Sequence, residues 1–281
     1  MRINFNQSAT FASRIANVND MNTQNTMNAL SSGKRINSAK DDASGLAVST
    51  KMRSMIRGLN QASRNIADGS SMLNVASGYL QETTDILQRI RELAVQSSNG
   101  IYSADQRSMI QIEVSQLVSE IDRIASSATF NGLQLFTGRY AIGNEEITLH
   151  IGSQADQCIS FNLEAATADA LGLKNSQEQG NPLSVLDPDS ANMAIATLDD
   201  ALLKVSKQQA LIGANQNRME VAKQGIDIAS ENMSAANSRI EDADMAEKIV
   251  EFSKNSILSQ SSLAMIAQAN SQNQNVLALL R

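Results

Sequence analysis

The sequence predicts a mainly α protein, with long coiled-coil helices from both chain ends packed together and a small β-hairpin region at the turnaround. Three observations lead there. Apolar residues recur at heptad spacing over long stretches, the signature of helices that pack on helices. Only two prolines and fourteen glycines interrupt 281 residues, aromatics are 3% and Trp is absent, so the chain has few helix breakers and little of a bulky globular core. Between Glu146 and Leu163 the period changes to two, with Ile147, Leu149 and Ile151 and then Ile159, Phe161 and Leu163 alternating with polar residues.

From the N-terminus, Ile3 to Ser13 and Met21 to Gly33 carry no charge, and Phe11, Ile15, Val18, Met27 and Leu30 form a sparse apolar face among amides and hydroxyls. Ser31 to Gly45 reads as an irregular polar connector. A long helix is expected from Leu46 to Ser98, with Met72, Ala76, Tyr79, Thr83, Ile86, Ile90 and Leu93 on one seam and a left-handed Gly100 as its stop. Ser103 and Gln106 stand three apart, as a capping box requires. The helix they open aligns Ile110, Val114, Leu117, Ile121 and Ile124, and its short connection makes it an antiparallel neighbour of the one before. Phe130-Asn131-Gly132 closes this half, and a hairpin follows with its loop at Gly152–Gln157.

Ser190 is the expected cap of the next helix, whose seam is Ile195, Leu198, Leu202, Val205, Ile212, Met219, Ile226 and Met233. That register does not continue onto Ile249 and Phe252, which places a joint near residues 236–245. The expected segments are therefore 1–45, an N-terminal helix and connector; 46–130, the first half of a helical core; 131–189, a β-rich turnaround; 190–236, the returning core helix; and 237–281, a C-terminal helix.

The last segment is the most informative. Asn255 to Leu280 has no charged side chain, and half of it is Asn, Gln and Ser. Ile249, Phe252, Leu263, Ile266, Leu277 and Leu280 fall on a heptad seam whose intervening positions are Ser256, Ser259, Asn270 and Asn273. So diluted a stripe buries too little apolar surface to hold a helix in water. Two weak helices at opposite ends of one chain can pair with each other, and their remaining surface can be buried only by other molecules. Self-assembly through paired termini is the expectation, carried by Phe11, Ile15, Val18, Leu30, Ile249, Phe252, Leu263, Ile266, Leu277 and Leu280.

Several function classes find no support. The net charge of −6 is thinly spread and no basic cluster with interleaved aromatics occurs, which argues against nucleic acid. No segment is apolar enough for membrane insertion, and the first thirty residues lack the continuous apolar core of a secretory signal. The expected location is the cytoplasm, or outside it by a route that reads no cleavable signal. No phosphate-binding glycine loop appears, so no nucleotide cofactor is expected. His150 and Cys158, the sole histidine and cysteine, lie across the hairpin and can meet, but two ligands alone make a poor metal site, and no metal is expected. Without a positioned base for a nucleophile, no catalytic residue is assigned and the chain is not expected to be an enzyme. The pairs Asp41-Asp42, Glu145-Glu146 and Asp199-Asp200 read as solvated surface. The run Glu241, Asp242, Asp244, Glu247 and Glu251, mixed with Arg239, Lys248 and Lys254, reads as a charged helix face or a set of intersubunit ion pairs.

Four blocks resemble one protein family in family order. Leu30-Ser31-Ser32-Gly33-Lys34-Arg35-Ile36-Asn37-Ser38-Ala39-Lys40-Asp41-Asp42-Ala43-Ser44-Gly45-Leu46-Ala47-Val48-Ser49 resembles the N-terminal signature of bacterial flagellins. Gln88 to Gly100, Ser238 to Ala246, and Met265 through Arg281 resemble three further flagellin blocks. The resemblance implies a filament subunit for motility whose termini pair as the inner tube and whose next helices form an outer coiled-coil layer. It also implies unfolded export through the flagellar type III channel, an export chaperone, and filament-cap and hook-junction partners. A hook–filament junction protein or a secreted binding protein using the same export route is the alternative.

The short turnaround, Glu82 to Ile101 and Leu149-His150-Ile151-Gly152 are similar to spirochaete core flagellins, whose filaments lie in the periplasm with companion flagellins and sheath proteins; otherwise the flagellum is external. The opening Arg2-Ile3-Asn4-Phe5-Asn6 departs from that group's pattern. In flagellins sensed by the host Toll-like receptor, the block matching Arg89, Leu93 and Glu113 contributes contacts, and those residue types are present.

Overall fold

The computed structural model describes residues 6–175 and 181–279, in an order dominated by helices: α1 (Gln7–Ser32), α2 (Ala43–Ser98), α3 (Ala104–Ser127), the short α4 (Ala168–Leu171), α5 (Pro188–Glu241) and α6 (Met245–Leu279). Among the described residues six short strands make three antiparallel pairs: β1 (Thr129–Phe130) with β2 (Leu133–Gln134), β3 (Ile147–His150) with β4 (Cys158–Phe161), and β5 (Lys174–Asn175) with β6 (Asn181–Pro182). The chain forms two compact units, residues 1–56 with 231–281, and residues 57–230. Their limits fall inside α2 and α5 rather than at the connectors.

The 57–230 unit owes its core to heptad burial. Ile66, Leu73, Leu80, Leu87 and Ile90 of α2 meet Val114, Val118 and Ile121 of α3 and Leu198, Val205, Ile212 and Met219 of α5 in one cluster. At about 25 cal/mol per Å² of apolar surface, such side chains contribute roughly 1.5–3 kcal/mol each when fully buried. Hydrogen bonds fix α5 antiparallel to α2: Gln216 Nε2 donates to Asn74 Oδ1 at 2.9 Å, and Ser63 Oγ to Asp227 Oδ1 at 3.0 Å. Arg91 and Asp199 form an ion pair at 2.7 Å, so Asp199 is not merely solvated. The capping box is present in both directions, with Ser103 Oγ accepting from Gln106 N and Gln106 Oε1 accepting from Ser103 N.

The expected hairpin is present, with Ile147 opposite Phe161, Leu149 opposite Ile159 and His150 opposite Cys158, and its inward residues pack in the core cluster. Gly69 of α2 makes room for it: a Cβ there would lie 2.7 Å from Leu149 Cδ2. The β1–β2 turn is a second hairpin, with Asn131 at φ 48° and Gly132 at φ 79°, the left-handed pair that two-residue turns favour.

Two expected details are corrected. Gly100 is not left-handed; the glycines that are, at 33, 132, 138, 143 and 172 among the described residues, do not include it, and α2 ends in a turn closed by Asn99 and Tyr102. The returning helix starts at Pro188, not after Ser190, because proline's missing N–H costs nothing at the first helical position and Asp187 O takes the Ala191 amide.

In the other unit α1 and α6 pair antiparallel. Asn6 Nδ2 donates to Ala269 O at 3.0 Å near one end, and Ser259 Oγ to Asp20 Oδ1 at 2.6 Å midway. Asn6 caps α1 by accepting from Ala9 N, and Gly33 at φ 71° ends it. The joint between α5 and α6 falls at residues 242–244, where Asp244 Oδ1 accepts the Ala246 and Glu247 amides.

Candidate assembly surface

The seam between α1 and α6 is filled by small and polar residues. Ala12, Ala16, Asn19 and Thr26 are buried on α1, and Asn255 and Ser262 on α6. On α6 the seam runs through Phe252, Asn255, Ser259, Ser262, Ile266 and Ala269. Two of the four described members of the apolar stripe read from the sequence therefore turn away from α1: Phe252 and Ile266 are half-buried, whereas Ile249 and Leu263 are 54% and 60% exposed. On α1, Ile15 and Leu30 are half-buried while Phe11 and Val18 are 62% and 51% exposed. The side chain of Leu277 and all of Leu280 lie outside the described residues.

Small residues let two backbones approach closely while burying little apolar area, so this pairing within one chain is weak. The large side chains stay outside it. Met21, Met27, Val250, Ile257 and Met265 join Phe11, Val18, Ile249 and Leu263 on the exposed surface of the pair. So many large apolar side chains left exposed on one helix pair are surface that a partner molecule can bury.

At the base of the pair the two connectors are clipped together. Lys34 and Asp242 form an antiparallel bridge, Ala243 N donates to Gly33 O at 3.0 Å, and Glu241 O accepts from Arg35 N at 2.7 Å. The Glu241 carboxylate is buried at 3% exposure. Lys34 Nζ lies 2.6 Å from it, Ser49 Oγ donates to it at 2.5 Å, Asn237 Nδ2 at 3.2 Å, and Arg53 Nε stands 3.5 Å away. The bonds from Lys34 and Ser49 outweigh burial and draw its pKa from 4.5 down to about 2. The acidic run is thus not uniformly a solvated face: its first member is the centre of a buried charge cluster. Asp41 and Asp42 are also more than surface charge. Asp41 accepts the Asn37 and Ser38 amides, and Asp42 the Gly45 amide at the start of α2; these bonds lower both carboxyl pKa values.

The receptor trio divides. Arg89 Nη2 pairs with Glu113 Oε1 at 2.8 Å on the surface, but Leu93 is 2% exposed, buried in the helical core. His150 Nδ1 and Cys158 Sγ do meet, at 3.3 Å, and no group of three or more metal-ligating side chains occurs among the described residues. No described helix is long and apolar enough to cross a membrane.

Residues 3–141 match the bacterial flagellin N-terminal helical region, and residues 195–280 the C-terminal helical region. The chain belongs to the flagellin family. It is 56% identical to the flagellar filament 30.7 kDa core protein of Treponema maltophilum and 52% identical to flagellin FlaB1 of Treponema pallidum, over 100% of both chains in each case. A solved flagellar hook associated protein-3 from Legionella pneumophila shares the fold alone, with a TM-score of 0.51 and 13% identity over 68% of this chain and 98% of that one. This flagellin is a structural subunit of a flagellar filament, not an enzyme, and its assembly is a polymer of copies.

Proposed function

We propose that this flagellin polymerises through the α1–α6 pair into the core of a periplasmic filament. The observation that carries the reading is the inverted distribution of the pair: small residues inside, large apolar residues outside. Burying five or six such side chains between copies supplies on the order of 10 kcal/mol, enough to offset ordering two weak helices. Full-length identity above 50% to treponemal filament proteins supports the periplasmic location and the filament over the junction reading, since similarity to the hook-associated protein is one of fold. Immunogold labelling of cell sections tests the location; label outside the outer membrane contradicts it.

The amide-rich, charge-poor terminal segments suit passage through the flagellar type III channel as an unfolded chain. The export chaperone, filament cap and hook-junction proteins are the partners this route requires, and companion flagellins and sheath proteins accompany a periplasmic filament. Retention of the chain in a mutant lacking that export system is expected; secretion in its absence contradicts the route. A host Toll-like receptor would meet Arg89 of α2 and Glu113 of α3, with Leu93 acting only from within the helical core. Arg89→Ala lowers a receptor reporter response of soluble subunit if that contact exists, and an unchanged response removes it. Seeding purified subunit with short filament fragments tests polymerisation itself, with long filaments expected by electron microscopy and persistent monomer counting against it.

A further inference from the structure

The sole cysteine and the sole histidine of the chain stand opposite each other on the β3–β4 hairpin of the 57–230 unit. The register explains why they meet. Ile151 N donates to Gln157 O at 2.8 Å, so the next opposite pair, His150 and Cys158, exchanges no backbone hydrogen bonds, and side chains of such pairs stand closest. Their neighbours face the core, Leu149 on one strand and Ile159 on the other. Alternation therefore turns His150 and Cys158 outward, and both are exposed. Asn65 Nδ2 of α2 donates to His150 O at 3.0 Å and fastens that strand to the helix. Held in this way, His150 Nδ1 lies 3.3 Å from Cys158 Sγ.

A buried cysteine is explained by packing as a small hydrophobe, whereas an exposed thiol held against an imidazole fills no core. We propose that Cys158 is a thiol-modification site, activated by His150 towards low-molecular-weight disulfides. The sequence offers no positioned base for a nucleophile, and the hairpin supplies one. His150 Nδ1 takes the Sγ proton, and the thiolate attacks one sulfur of a disulfide R–S–S–R. A bond forms between Cys158 Sγ and that sulfur as the R–S–S–R bond breaks, and the released thiolate RS⁻ takes the proton from the imidazolium. One disulfide replaces another, so no further oxidant is consumed. The new group projects into solvent and requires no rearrangement of the core. With no second cysteine in the chain to resolve it, the mixed disulfide persists until an external thiol removes it. A metal ion fits the pair less well, because no third ligating side chain joins it among the described residues. The site is stoichiometric, one per subunit, and does not depend on how copies assemble.

The rate of thiol–disulfide exchange tests it. Full-length soluble subunit at neutral pH is mixed with a nitroaromatic disulfide that releases a coloured thiolate, beside His150→Asn and beside the same chains in concentrated urea. An unassisted thiol is only about a few per cent ionised in neutral solution, and part of the gain in thiolate is offset by lower nucleophilicity, which leaves room for roughly a tenfold effect. The folded parent should therefore react about tenfold faster than folded His150→Asn, each chain taking up one probe group, and the two should react alike in urea. Equal rates in the folded chains overturn the proposal. A second thiol guards against a hairpin loosened by the substitution. Ser160 is exposed on the same face of β4, opposite Thr148 instead of His150, so Ser160→Cys in a Cys158→Ser background keeps the imidazole but removes it from contact. That thiol should react at the slow rate of folded His150→Asn; a rate equal to the parent's shows that exposure alone sets the reactivity and overturns the assignment of His150.

Discussion

Replacing Glu241 by Gln tests the buried charge cluster at the base of the terminal pair. The carboxylate is 3% exposed and takes Lys34 Nζ at 2.6 Å and Ser49 Oγ at 2.5 Å. A carboxyl titrating at about 2 rather than 4.5 corresponds to about 3 kcal/mol of stabilisation in neutral solution. Lys34 and Arg53 are each 40% exposed, so water screens part of this and the expected loss is about 2 kcal/mol. The sign follows from the lowered pKa: the contribution is complete above about pH 4.5 and disappears as the pH falls through 2. Gln keeps the shape but loses the charge, so the variant lacks this pH dependence. Urea dissociation of filaments, followed by circular dichroism and sedimentation, should separate parent and variant by about 2 kcal/mol at pH 6–7. The gap should close towards pH 2. Asp41 and Asp42 titrate in both proteins and cancel in the difference. A gap absent at neutral pH, or constant down to pH 2, refutes the argument.

Other outcomes follow from the same packing. Asn255→Leu puts an apolar side chain into the amide-lined seam, so the free subunit should gain helicity by circular dichroism; unchanged helicity means α1 and α6 do not pair before assembly. Phe136, 1% exposed, should cost the 57–230 unit about 3–5 kcal/mol as Phe136→Ala, read from urea unfolding of soluble subunit. Ser103→Ala removes the capping box and should cost about 1 kcal/mol in the same measurement.

Much of the fold was legible because its signals are local. Heptads in α2, α3 and α5 identify core faces, and the period-two stretch identifies the β3–β4 hairpin and its inward residues Ile147, Leu149, Ile159 and Phe161. Ser103 and Gln106 satisfy each other within four residues, so their motif needs no tertiary information. The burial of Glu241 was not legible: its lysine, serine and arginine partners lie about 190 to 207 positions away, and beside Asp242 and Asp244 it looks like one more surface charge. Which members of the α6 stripe face α1 was not legible for a related reason: hydrophobicity marks the stripe as a whole, whereas Asn255 and Ser262 are buried in the seam and Ile249 and Leu263 stay exposed. Gly100 misled because a glycine after a helix permits a left-handed residue without requiring one.

The most direct test of the account is seeded assembly of the full chain beside its Ile266→Asp variant, scored by negative-stain electron microscopy with the unfolding of the 57–230 unit measured in parallel. Ile266 is half-buried on α6 in a stretch without charge, so Asp there should abolish filament growth and leave that unit's stability unchanged. Normal filaments from Ile266→Asp would contradict assembly through the terminal helices.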